Sequence, residues 1–146
     1  MSIFFSRQCE YALQAVVYLA LAPPQKKTSI RELTKKLDIP YHFLAKILQD
    51  LTYKGLLKSQ KGPSGGFALG MPAKEITLFR IVEAIDGVGF KDKCLLGFPE
   101  CSEKTPCAVH SKWGGLREQI YGMLVNKNIA EMAKDMKKPE YQFFGD

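Results

Sequence analysis

The chain has 146 residues, 46% of them apolar, and a formal charge of +6. That length suits one compact domain with an appended arm, and that apolar share excludes a globally disordered chain. The charge is uneven: residues 1–74 hold 11 Lys/Arg against 4 Asp/Glu, a net +7, whereas residues 75–146 hold 10 against 11, a net −1, so the amino-terminal half carries the potential to bind a polyanion such as nucleic acid.

Ser6 is placed to cap a first helix that runs to about Leu21. Its apolar stripe is Tyr11, Ala12, Ala15, Val16, Leu19 and Ala20, and Pro23-Pro24 ends it. After a basic loop, Ser29 with Glu32 has capping-box spacing and opens a short helix through Leu37, with Ile30, Leu33 and Leu37 facing inward. Asp38-Ile39-Pro40 breaks the chain tightly. A third helix is expected from about Tyr41 to Lys54, stopped by Gly55, with Phe43, Leu44, Ile47, Leu48 and Leu51 on its buried face. Tyr41, His42, Ala45, Lys46, Gln49 and Tyr53 fall largely on the other side. Two helices joined by a short turn, the second with a polar face, describe a helix-turn-helix.

Leu56–Gln60 and Gly66–Leu69 read as strands around the turn-rich Lys61-Gly62-Pro63-Ser64-Gly65. A hairpin directly after a reading helix is a wing, whose glycines let the backbone approach phosphate and whose basic residue suits a narrow minor groove. Thr77 caps a predicted helix from Leu78 to Asp86, which turns Ile81, Val82 and Ile85 inward. A longer helix is expected from about Ser111 to Lys127, with Trp113, Leu116, Ile120, Met123 and Leu124 at three- and four-residue steps. Such a stripe needs a partner surface, and a second copy is expected, because DNA regulators usually read two half-sites with twofold symmetry. Asn128 caps a last short helix, Ile129 to Met136, and residues 137–146 read as a frayed tail.

Arg7, Gln8 and Glu10 interrupt the opening apolar segment before a signal peptide develops, and the longest apolar stretch, Ala15–Pro24, is too short to span a membrane. The expected location is the cytoplasm, with no membrane association. In a reducing compartment, clustered cysteines point to metal or redox chemistry rather than to structural disulfides. Between the last two predicted long elements lies the run Cys94-x6-Cys101-x5-Cys107-x2-His110. Soft thiolates select zinc, copper or iron–sulfur clusters. The paired Cys-x2-Cys knuckles of structural zinc are missing, and the wider spacing suits a larger object such as a cluster. A fourth ligand would come from His110, Cys9 or a carboxylate such as Glu10. A thiol redox sensor without metal uses the same residues. Enzyme readings have little to stand on: His42 and His110 are the only histidines, and the glycine-rich segment lies in a hairpin rather than at a strand-to-helix turn.

Taken together, Glu10-Tyr11-Ala12-Leu13, the segment Lys61-Gly62-Pro63-Ser64-Gly65-Gly66-Phe67-Ala68-Leu69, and the three-cysteine loop with His110 resemble one family. It is the bacterial winged-helix regulators that include the iron–sulfur cluster regulator IscR and the nitric-oxide-sensing repressor NsrR. The resemblance spans nearly the whole chain. It implies a mostly α fold with a small β-hairpin wing, a winged helix-turn-helix plus a long dimerisation helix. The corresponding divisions are a DNA-binding domain at 1–87, a cluster-binding loop at 88–110, dimerisation and C-terminal helices at 111–136, and a flexible tail at 137–146.

The implied protein is a homodimer on a palindromic double-stranded operator, and a regulator such as a repressor rather than an enzyme. Tyr41, His42, Lys46 and Gln49 are the implied reading residues, and Lys61, Ser64 and Gly65 those of the wing. A 2Fe–2S or 4Fe–4S cluster would be held by Cys94, Cys101 and Cys107. The fourth ligand would be His110, as in IscR-like members, or Glu10 from the partner's first helix, as in the nitric-oxide sensors; His110 is favoured because it shares the loop. A clusterless regulator sensing thiols or a protein partner is the alternative within the same fold, and a metalloenzyme that does not bind DNA is a distant one. Three departures stand out. The first cysteine gap is six residues rather than five, position 45 is Ala where some members carry an acid, and Cys9 is an extra thiol expected to be a small buried residue.

Overall fold

The computed structural model describes residues 4–87, 89, 93–99, 103–104 and 106–137. Cys101 and residues 138–146 of the expected tail lie outside the described residues. Helix α1 spans Arg7–Leu21, α2 Ile30–Leu37 and α3 Tyr41–Tyr53. Strands β1 (Leu57–Gln60) and β2 (Gly66–Leu69) follow, then α4 (Leu78–Asp86), α5 (His110–Asn126) and α6 (Ile129–Met136). The expected class, mostly helical with a small hairpin, is the one observed.

The boundaries follow local chemistry. Ser6, Ser29, Thr77 and Asn128 each accept a backbone N–H in the first turn of their helices, as capping requires. Asn128 and Glu131 form a full reciprocal capping box. Ser29 and Glu32 form only half of one. The Glu32 carboxylate accepts instead from Lys26 Nζ at 3.2 Å and from the Tyr18 hydroxyl at 3.0 Å, which ties α2 to α1 and the loop between them. Helix α5 begins at His110, one residue before the predicted start, so the last candidate ligand stands on the helix rather than in the loop.

The core gathers Ala12, Ala15, Val16 and Leu19 of α1, Leu33 of α2, and Leu44, Ile47, Leu48 and Leu51 of α3. Phe43 departs from expectation: its side chain is 44% exposed, because the inward arc of α3 is filled by Leu44, Ile47, Leu48 and Leu51. The chain then returns. Ile129 N–H donates to Ile76 carbonyl at 2.8 Å, Leu78 N–H donates to Lys127 carbonyl at 3.0 Å, and Ile129 is buried in the core that α1–α3 build. Helix α6 is thus packed against α1 and completes the amino-terminal core.

The hairpin pairs Leu57 with Leu69 and Gln60 with Gly66 in antiparallel register. Thr28, fully buried, extends it: its N–H donates to Phe67 carbonyl at 2.9 Å and its carbonyl accepts from Phe67 N–H at 2.8 Å. This bridge presses the α1–α2 loop against Gly66, where φ is +148° and a Cβ would stand 2.5 Å from Thr28 oxygen. Only glycine meets both demands.

Replacing Ile129 with alanine should cost about 3 kcal/mol of global stability, the usual size for emptying a buried aliphatic site. Urea unfolding measures it, and a loss under about 1 kcal/mol would show that α6 is not part of the core.

Candidate nucleic-acid interface and thiol loop

Helix α3 turns Tyr41, His42, Lys46 and Gln49 to solvent, and its first turn has no acidic residue. Lys54 ends the helix and donates from Nζ to Ala84 carbonyl at 2.6 Å, which fixes the foot of α3 against α4. Lys61 and Ser64 are exposed at the hairpin tip. There Gly65 N–H donates to Gly62 carbonyl at 3.0 Å, and a Cβ on Gly65 would collide with the Gln60 carbonyl. The tip is therefore a tight, glycine-dependent turn that presents one cation and a short hydroxyl. A polar helix face beside such a turn can lie in a major groove and against phosphate.

The thiol loop is bracketed by two packed helices. Helix α4 meets α5 through the edge-to-face pair Phe79–Tyr121, with centroids 5.1 Å apart, and through buried Val82 and Leu124. The loop backbone at Lys93 is held from α5: its carbonyl accepts from Trp113 Nε1 at 2.7 Å and from an Arg117 guanidinium N–H at 3.2 Å. Next in sequence is Cys94, which is buried, whereas Cys107 is half-buried. Burial pushes the Cys94 thiol upward, but backbone N–H groups of Phe98, Leu96 and Gly97 and the Cys107 thiol hydrogen-bond to it. The net result is a value below the ordinary one. Cys107 carbonyl accepts the His110 N–H at 3.1 Å, so the second thiol sits at the entrance to α5.

The structure thus brings Cys107 near enough to Cys94 to help hold its thiol below the ordinary value, and sets His110 one turn beyond. Among the described residues no group of three or more potential ligands converges on one point. Glu10 is half-buried on α1. Two free thiols near one another, with main-chain N–H groups that favour the thiolate of one, are a donor set that suits thiolate-bound iron.

Cys9 behaves differently, and as expected for a small core residue. It has no exposure and packs with Val82 and Leu124. Burial, with smaller contributions from the Asp86 and Glu10 carboxylates, pushes its thiol from 9.0 to about 12. Asp86 is the C-terminal residue of α4, and its carboxylate accepts the Ser6 N–H at 2.9 Å and the Ser6 hydroxyl, clamping α4 to the start of α1.

Residues 5–135 match the Rrf2 family profile, described as an iron-dependent transcriptional regulator. The chain belongs to the Rrf2 family. It is 36% identical over 132 residues to an Aquifex aeolicus protein whose name infers an HTH-type transcriptional regulator, covering 89% of this chain and 91% of that one. It is 30% identical over 125 residues to the HTH-type transcriptional regulator IscR of Vibrio campbellii, covering 86% of this chain and 74% of that one. In structure it is similar to CymR of B. subtilis, called the global cysteine regulator, with a TM-score of 0.76 at 22% identity over 92% of this chain and 98% of that one. The Rrf2 chain is a transcriptional regulator of winged-helix fold and not an enzyme. No helix among its described residues is long and apolar enough to cross a membrane.

Sequence patterns did not single out Phe43, the Thr28 bridge or the Lys93 carbonyl as organising features. The first departs from helical periodicity by one position, and the other two are main-chain interactions with no side-chain pattern to mark them.

Because the folded Cys9 thiol is held above its ordinary value, its share of stability is complete below about pH 9 and disappears as pH rises toward 12. The unfolding free-energy difference between wild type and Cys9→Ala should therefore shrink from about pH 8 to about pH 11. A difference constant across that range would contradict the burial of this thiol.

Proposed function

We propose that this Rrf2 regulator is a cytoplasmic homodimer that binds a palindromic double-stranded operator, with an affinity set by an iron–sulfur cluster of the 2Fe–2S or 4Fe–4S type. The observation that carries this reading is the pairing of two free thiols before α5, buried Cys94 and half-buried Cys107, with neighbouring main-chain N–H groups and Cys107 holding the Cys94 thiol below its ordinary value. Cys94, Cys101 and Cys107 would supply thiolates. His110 would complete the set, with Glu10 of the partner subunit as the alternative fourth ligand. When bound, the cluster supplies one-electron redox chemistry and reactivity toward oxygen or nitric oxide.

The rest is work for the chain's own residues. Trp113 and Arg117 hold the Lys93 carbonyl, so a shift of Cys94 pulls on α5. Helix α5 packs on α4 through Phe79, Val82, Tyr121 and Leu124, and Lys54 links α4 to the foot of the reading helix. That contact chain is a continuous physical route from thiol geometry to DNA geometry. Leu116 and Met123, 55% and 58% exposed, lie on α5 and support its role as the dimerisation helix. Tyr41, His42, Lys46 and Gln49 would read bases, while Lys61, Ser64 and Gly65 would meet the backbone or minor groove.

A second reading has its own support. The likeness to a protein named the global cysteine regulator, and the nearness of the free thiols Cys94 and Cys107, favour a clusterless regulator that senses thiols. The two readings diverge in one preparation. Protein purified without oxygen should be brown, with iron and sulfide in near-equal amounts, and Cys107→Ala should lose the colour. A colourless, iron-free wild type under strict anaerobiosis would leave the thiol reading in place and remove the cluster.

The wing assignment has a separate check. Lys61→Ala should weaken binding to all duplexes alike and reduce the slope of log affinity against log salt by about 1. An unchanged slope would contradict it.

A further inference from the structure

Helix α3 carries an apolar residue where its own fold has no use for one. Its inward arc is occupied by Leu44, Ile47, Leu48 and Leu51, all buried, yet Phe43 is 44% exposed in the first turn. At 100° per residue Phe43 stands about a quarter turn from His42, on the edge of the face that also carries Lys46 three residues on. The ring is oriented: it lies against the His42 imidazole with centroids 4.3 Å apart and an interplanar angle of 36°. A packed ring has less rotamer freedom left to lose on binding than a loose one.

In a helix-turn-helix the first residues of the reading helix are those that touch base edges. A phenyl ring offers the groove no hydrogen bond. The base-edge feature in the major groove that an apolar side chain engages directly is the C5-methyl group of thymine. We infer that Phe43 is a specificity-determining residue that reads a thymine methyl at one position of each half-site, beside hydrogen-bonding neighbours His42 and Lys46. The inference rests on the DNA-binding reading above and adds to it a base identity and the atom recognised.

Deoxyuridine differs from thymidine only by lacking that methyl, which makes the contact testable atom by atom. Preferred duplexes are selected from a random-sequence library with the full chain purified anaerobically. They are then resynthesised with each thymine replaced in turn by deoxyuridine. One thymine per half-site should stand out, its replacement weakening wild-type binding by about fourfold, the value of burying one methyl group. Phe43→Ala should bind the thymine duplex that much more weakly and show no further loss with deoxyuridine. Phe43→Leu, which keeps an apolar contact, should retain the preference.

A wild type indifferent to deoxyuridine at every thymine would overturn the inference, whatever happens to the folding of the variants. So would a Phe43→Ala protein that keeps the thymine preference, or one that loses affinity equally for all duplexes, as a backbone contact would. If the wild type shows no salt-dependent binding to any duplex, the DNA-binding reading fails and takes this inference with it.

Discussion

The packing of α5 on α4 is the constraint that joins the thiol loop to the amino-terminal helices. The loop that carries the thiols leaves α4 at Gly87 and re-enters helix at His110, and both flanking helices share one small core around Cys9, Val82 and Leu124. That core is closed from the other side by the Asp86 clamp on Ser6 at the start of α1. The loop begins where α4 ends, and α4 in turn accepts a hydrogen bond from Lys54 at the end of α3. Packed interfaces tend to switch between discrete arrangements rather than deform continuously, and the proposed coupling of loop to DNA reader draws on that property.

Chain topology reinforces the constraint. After α5 the main chain pairs back to the segment before α4, through Ile76, Leu78, Lys127 and Ile129. Helix α6 then fills the core that α1–α3 open. Helix α5 is therefore tethered at both ends, by the Lys93 carbonyl near its start and by this return pairing at its finish. It contains Gly114, Gly115 and Gly122, residues that weaken an isolated helix, so its order draws on those tethers. The wing is anchored in a comparable way. Thr28 holds it to the α1–α2 loop, and Gly66 is the residue that permits the approach.

Much of this was legible in the residues. Ser6, Ser29, Thr77 and Asn128 mark helix starts by a local mechanism, so those starts could be read directly, as could the hairpin from its turn residues. Periodicity located the buried stripe of α3 but assigned Phe43 to it, because a stripe read by spacing alone has soft edges and Leu44, Ile47, Leu48 and Leu51 already filled the arc. The long-range ties were not legible. Thr28 with Phe67, Ile129 with Ile76, and Lys93 with Trp113 are backbone-directed, and no residue type announces them. The composition of the thiol loop was plain in sequence. Which thiols lie near one another is a property of the fold, which sets Cys107 where it affects the Cys94 thiol; Cys101 lies outside the described residues.

The central claim is that the state of this loop sets affinity for DNA through α5 and α4. It is tested most directly by measuring the affinity of one selected duplex for the same anaerobic preparation before and after its iron is removed by chelation, at fixed salt. Removing the iron should change the affinity by at least about tenfold, the scale of a typical coupling free energy between linked sites. Equal affinity for the iron-loaded and iron-free protein would contradict it.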